Sequence, residues 1–407
     1  MKLSQRAMLC ELSPMRKFHP FAVEASSRGR KIYHLNIGQP DIATPPVYFE
    51  TVRQFSLPVL EYAESPGRPN LIRAIQDYYC RIGVHYDERD ILITTGGSEA
   101  LNILMMCILD PGSEVLIPEP FYPNYNTFIR AAGGVIHPIH TSPEEGYRYA
   151  DRAKIEAEIN ENTRAIMITN PSNPTGVILT PEERQMLLDI AKEHDLYLIS
   201  DEVYREFYYG GQGLATMGAC EGADDHVVLI DSVSKRFSAC GARIGCLISK
   251  NQTLMAEALK FCQARLSVAT LDQVASAALY TVEPEYFDAV RLEYQRRRDT
   301  VIRKLRMIPG VVVEVPMGAF YLMASLPVDD ADKFQRWLLE KFNDHGDTVM
   351  FAPGAPFYET PGKGINEVRI AYVLKQEDLE RAMDVLARGI SVYQREVMHV
   401  QPEFLSE

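Results

Sequence analysis

The chain is poor in the features that mark several protein classes. Its seven cysteines, at positions 10, 80, 107, 220, 240, 246 and 262, are odd in number, scattered, and never spaced as CxxC. This excludes a disulfide frame and a zinc knuckle, and no metal ligation is expected. The thiols read as reduced, with Cys240 and Cys246 as small core residues. Basic residues are outnumbered, 42 Lys and Arg against 55 Asp and Glu, for a formal net charge of -13. That balance argues against nucleic-acid binding and against an anionic membrane surface. It leaves a local cluster of arginines free to reverse the field in one cleft. The longest apolar run, Leu101 to Leu109, is broken by Asn102 and is too short to span a bilayer. The opening Met1-Lys2-Leu3-Ser4-Gln5-Arg6 lacks the apolar stretch of a secretion signal, so a cytoplasmic location is expected. Internal repeats and low-complexity linkers are missing. So is a GxGxxG turn after an early strand, which counts against a Rossmann-type nucleotide enzyme.

What remains is ordinary globular composition, 46% hydrophobic and 24% charged, over 407 residues. That length predicts two domains, or one large and one small. From residue 90 to 250 short apolar runs alternate with helical patterns, the signature of a parallel sheet with crossover helices. The strands read as Ile91 to Thr94, Glu114 to Pro118, Gly134 to Ile139, Thr163 to Thr169, Leu196 to Ser200, Val227 to Ile230 and Ile244 to Ser249. Helices are expected over Glu99 to Leu109, Tyr122 to Ala132 and Arg152 to Ile159. Another follows the Thr180 N-cap, with Pro181 in its first turn and Glu183 closing a capping box. From about residue 285 the texture changes to a long charged helix and less regular strands. The expected fold is therefore α/β: a large domain over residues 45–285 with a mostly parallel sheet flanked by helices, and a smaller α+β domain from residues 1–44 and 286–407. Arg291 and Arg296–Arg298 read as a solvated helix face.

In an open parallel sheet, ligands bind beyond the carboxyl ends of the strands, and the unusual residues fall there. Gly96, Gly97 and Ser98 open a helix, where backbone amides and the helix dipole suit a phosphate. Asn173 lies in a proline-bracketed turn, and Asp201 ends an apolar strand with Tyr204 three residues on. Ser232, Ser234 and Lys235 follow the run Val227 to Ile230, with Arg243 eight positions after the lysine. An anion site, an amide, an acid, a phenol and a lysine at one sheet edge are the parts a pyridoxal phosphate site needs. The aldehyde takes the lysine and the ring nitrogen a carboxylate. The phosphate takes amides, hydroxyls and an arginine.

Ser-x-Ser-Lys followed by Gly-x-Arg-x-Gly, preceded in order by Asn-Pro-x-Asn-Pro-x-Gly and Ser-Asp-Glu-Val-Tyr, resembles the class I/II aminotransferases among the fold-type I pyridoxal-phosphate enzymes. The resemblance covers nearly the whole chain. It implies that Lys235 forms the Schiff base with pyridoxal 5'-phosphate and carries the proton. It implies that Asp201 pairs with the ring nitrogen and that Tyr204 and Asn173 bond the ring oxygen. Gly97, Ser98, Ser232 and Arg243, with the amide of Gly96, would hold the phosphate, and Tyr122 would stack on the ring. Gly38, Asn173 and Arg369 would receive the substrate, Arg369 as a two-pronged clamp on its α-carboxylate. Tyr62 would reach the phosphate of a partner subunit, which implies a homodimer.

The implied reaction moves an amino group between an L-amino acid and a 2-oxo acid, 2-oxoglutarate being the expected acceptor. Rival expectations are a C–S lyase or aminocyclopropanecarboxylate synthase on the same fold, and a non-catalytic effector-binding domain. One departure bears on the donor. Relatives specific for acidic substrates often carry lysine where this chain has Ser98, so aspartate is not implied. Arg16, Lys17 and Arg265 could meet a second carboxylate, although Arg265 reads better as structural.

Overall fold

The computed structural model describes residues 1–210 and 214–399. Its centre is a seven-stranded sheet: β1 (Ile91–Thr94), β2 (Glu114–Pro118), β3 (Val135–Ile139), β4 (Thr163–Thr169), β5 (Tyr197–Asp201), β6 (Val227–Ser232) and β7 (Gly245–Ile248). The spatial order is β1-β7-β6-β5-β4-β2-β3. Every pair is parallel except those of β7, which runs antiparallel to both β1 and β6. Both faces are covered, so successive residues of one strand enter different cores. Ala165 and Met167 of β4 pack on one side and Ile166 and Ile168 on the other. That explains why its apolar run does not alternate with polar residues. Helices Gly96–Ile108 and Gln252–Ala264 cover the first face. Pro69–Arg81 and Pro181–Glu193 cover the second. The Thr180 capping box closes as expected, with the hydroxyl accepting from the Glu183 amide and the Glu183 carboxylate accepting from that of Thr180.

The smaller domain holds an antiparallel four-stranded sheet of Val312–Val313, Tyr321–Ser325, Ala352–Pro353 and Glu367–Ala371. The helices Pro284–Leu305, Ala331–Glu340 and Gln376–Glu396 belong to the same core. Lys31–His34 pairs in parallel with Asp347–Met350 and so ties the N-terminal segment to late sequence. No helix among the described residues is long and apolar enough to cross a membrane.

The structure corrects one charged feature. Arg297 and Arg298 are buried, not part of a solvated face. Arg297 reaches Asp41 at 2.6 Å and the Val373 carbonyl at 2.7 Å, while Arg298 donates to the Pro316 carbonyl at 3.1 Å. The helix packs into the smaller domain with the Asp41 loop against it, where a guanidinium must be paired. Arg291 is also largely covered, bound to Glu206 and Asp288.

Candidate active site

The ends of β4, β5 and β6 open onto a cavity of about 740 Å³, closed from the other side by the Gly38 loop and by Tyr321 and Arg369. Gly38, Gly97, Ser98, Tyr122, Asn173, Asp201, Tyr204, Ser232, Lys235, Arg243 and Arg369 all line it. Gly38 and Arg369, 331 positions apart, thus share one space. Gly96 lies just behind the wall, and Tyr62 stands apart from the cavity, 78% exposed.

Lys235 extends from the one-turn helix Val233–Arg236, and its Nζ donates to the Gly38 carbonyl at 2.8 Å. Gly38 must be glycine, because a Cβ there would stand 1.6 Å from the Tyr321 hydroxyl oxygen. At the cavity floor Asp201 is buried, 7% exposed. Burial pushes its carboxyl up to about 6, against the opposing pull of the Tyr125 hydroxyl and the Val203 amide. Tyr125 donates to Asp201 Oδ2 at 2.7 Å. Above it, Asn173 Nδ2 donates to the Tyr204 hydroxyl at 3.3 Å, and Asn173 Oδ1 accepts from Arg369 Nη1 at 3.1 Å. Arg369 also donates to the Asn36 carbonyl at 2.8 Å and lies over the Tyr321 ring at 4.5 Å. Burial raises the Tyr122 phenol to about 12, so this ring stays neutral.

At the other end, Arg243 hangs over the start of helix Gly96–Ile108. A Cβ on Gly96, which has φ 73°, would come 2.5 Å from the Arg243 Nη2. Gly245 lets β7 press against this turn, since a Cβ there would sit 2.5 Å from the Gly96 carbonyl carbon. Helix amides, the Ser98 and Ser232 side chains and a guanidinium therefore converge, a donor set suited to a phosphate dianion. An acid at the floor, a primary amine on one wall and this cradle fit a phosphorylated pyridine aldehyde.

Several lining residues escaped the sequence reading. Tyr125 sits in the first turn of helix Asn124–Ala131, which starts after Tyr122 and not at it, and the two rings meet edge to face at 5.4 Å between centroids. Tyr321 meets Tyr204 hydroxyl to hydroxyl at 3.0 Å, a contact between domains with no local sequence signal. Cys240 is a correction: it is not core, and its Sγ lines the cavity 3.7 Å from Lys235 Nζ. The loop from Lys235 to Arg243, with left-handed Ser238, turns the thiol inward. Of the three cations considered for a second carboxylate, Arg16 lines the cavity with His19 and His34. Lys17 pairs with Asp332, and Arg265 is held by Glu99 and the Ile93 carbonyl.

The family described as aminotransferase class I and II matches residues 30–386. The chain is 30% identical to the aspartate/prephenate aminotransferase of Thermus thermophilus, covering 95% of this chain and 98% of that protein. It is 29% identical to the aspartate aminotransferase of Pyrococcus horikoshii, covering 95% and 97%. Among solved structures, the Thermus thermophilus aspartate aminotransferase with maleate superposes with a TM-score of 0.87 at 29% identity, covering 96% of this chain and 100% of that one. The alanine aminotransferase of Pyrococcus furiosus gives the same values. The chain belongs to the class I and II aminotransferases and is a pyridoxal-phosphate-dependent transaminase.

Proposed function

We propose that the enzyme moves the amino group of an L-amino acid to 2-oxoglutarate in a ping-pong reaction, with Lys235 carrying the proton and Arg369 holding each substrate in turn. The observation that carries this reading is the chain of contacts from Arg369 through Asn173 to Tyr204, in the cavity that also holds Lys235. A carboxylate clamp and a primary amine that share one cavity would serve a single substrate together. When bound, pyridoxal phosphate supplies the aldehyde that takes the amino group and the ring that accepts electrons.

The chain's own residues do the rest. Arg369 binds the α-carboxylate through its fork of donors, its plane fixed by Asn173 and the Tyr321 ring. The Gly38 carbonyl, which here accepts from Lys235 Nζ, lies beside the same clamp. With the carboxylate fixed, Lys235 Nζ takes the proton from the substrate Cα and returns it one position away. Asp201, steadied by the Tyr125 hydroxyl, would hold the proton of the cofactor's ring nitrogen. Among the described residues the cavity offers one such carboxylate clamp. The first oxo acid therefore leaves before the second enters, which is the ping-pong order. A homodimer completes the reading, with Tyr62 reaching the partner's phosphate site. The exposed apolar Leu57, Val59 and Leu60 beside Tyr62 support a covering surface there.

The test is a half-reaction screen. The holoenzyme is mixed with single amino acids, and the absorbance of the lysine–cofactor linkage is followed. Stoichiometric loss, restored by 2-oxoglutarate, is the expected result, with parallel double-reciprocal plots. Steady release of pyruvate or a thiol without an acceptor would instead establish an elimination enzyme.

A further inference from the structure

Lys235 stands on a helix of only four residues. One turn cannot hold itself, because nucleating a helix fixes several residues for a single hydrogen bond. Its fixation has to come from outside. On the near side, the Ser232 hydroxyl accepts from the Ser234 amide at 3.0 Å and donates to the Ile244 carbonyl at 2.8 Å. The far side carries a second set of contacts that the reaction does not use. Arg236 folds back to Asp231, its Nη2 lying 2.9 and 2.7 Å from the two carboxylate oxygens. The pair is 1% and 0% exposed, and neither residue lines the cavity. Asp231 Oδ1 also accepts from the Ser232 amide at 2.7 Å, and Oδ2 from the Tyr79 hydroxyl at 3.0 Å. The Tyr78 ring lies against the Arg236 guanidinium at 4.1 Å.

We propose that Asp231 and Arg236 are positioning residues, a buried ionic staple that closes across the Lys235 turn and fixes where Nζ stands. The two partners straddle the lysine, one on the last strand residue but one and the other directly after it. Any rotation or unwinding of the turn must break their bonds. The same aromatic support serves the neighbouring strand. Glu202, next to Asp201, pairs with Arg205 at 3.3 Å, and the Arg205 guanidinium packs on Tyr78 at 4.6 Å. The strand ends that carry the ring-facing acid and the lysine therefore rest on one buried cluster. A buried ion pair contributes little to net stability compared with well-packed apolar residues. Misplacing a reacting group by about 1 Å, by contrast, costs on the order of a hundredfold in rate. The staple accordingly acts on geometry.

The inference rests on the reading of Lys235 as the residue that binds the cofactor. A Lys235→Ala holoenzyme with the wild-type lysine–cofactor absorbance would sink that reading. Two variants test the staple itself. Arg236→Lys keeps the charge but loses the flat guanidinium that lies against the Tyr78 ring, and Asp231→Leu/Arg236→Met removes both charges together, so that neither is left unpaired. Each is compared with wild type at temperatures where melting curves show both fully folded. Expected are a fall in kcat of tenfold or more (about one to two decades), KM for the donor changed less than twofold, and a moved pH midpoint of the lysine–cofactor absorbance. Crystal structures should show Nζ displaced from the Gly38 carbonyl. Wild-type kcat with an unmoved midpoint in the folded variants overturns the proposal. So does a loss of kcat that merely tracks the loss of folded protein.

Discussion

At the residue scale, Asp201 carries a signature that can be read without substrate. Its usual value of 3.8 rises to about 6 because burial penalises the charged form. A raised carboxyl binds more protons folded than unfolded. In cofactor-free enzyme its contribution to stability therefore falls as pH rises from about 4 to about 6 and is flat above that. The full shift corresponds to about 3 kcal/mol. Melting temperatures of apoenzyme and Asp201→Asn across pH 4 to 7 should converge toward pH 4. The variant should gain on wild type through this window; parallel profiles would contradict the assignment. Arg16 gives a second residue-level expectation. It lines the cavity with His19 and His34, and among the described residues no ion pair occupies it. If it meets the donor's distal group, Arg16→Met raises KM several-fold for aspartate and glutamate and leaves alanine unchanged. Equal KM values for acidic and neutral donors would remove Arg16 from donor recognition. The sequence could name Arg16 only among three cations. Lys17 and Arg265 were eliminated by their partners Asp332, Glu99 and the Ile93 carbonyl, which lie far away in the chain.

At the element scale, most of the large sheet was legible. A strand buried on both faces, such as β4, leaves an apolar run that needs no partner to be recognised. The Thr180 capping box is equally local. Pairing order is not local, and so the antiparallel insertion of β7 between β1 and β6 could not be read from periodicity. That insertion matters chemically, because it brings Gly245 against the Gly96–Gly97 turn. Side chains that meet only through the fold were hidden for the same reason: Tyr321 on Tyr204 across the two domains, and Arg297 on Asp41 within the smaller one. Adding one methyl at Gly245 should push β7 away from the turn that Arg243 overhangs. Forced overpacking of this kind costs about 1–3 kcal/mol. Titration of Gly245→Ala apoenzyme with pyridoxal phosphate should therefore show Kd raised by roughly tenfold or more. An unchanged Kd would mean that the turn is not part of the phosphate cradle.

At the scale of the whole molecule, the chain has a net charge of -13, yet its cavity gathers Arg16, Lys235, Arg243 and Arg369 around one carboxylate among the described residues, Asp201. Two sequence-predicted site residues lie outside that cavity: Gly96, just behind its wall, and Tyr62, on a loop whose apolar Leu57, Val59 and Leu60 are about half exposed or more. A side chain so placed contributes to a site only if a second copy brings it there. Mixed dimers decide the matter. Lys235→Ala subunits should be inactive, because they lack the amine. Tyr62→Ala subunits should be impaired through weakened cofactor binding. If Tyr62 serves the partner, the mixed dimer joins both defects in one site and leaves the other site intact. Tagged heterodimers purified from co-expression should then show about half of wild-type activity, with wild-type cofactor affinity at the active site. If Tyr62 acted within its own chain, each site would keep one defect. The heterodimer would then do no better than the Tyr62→Ala parent.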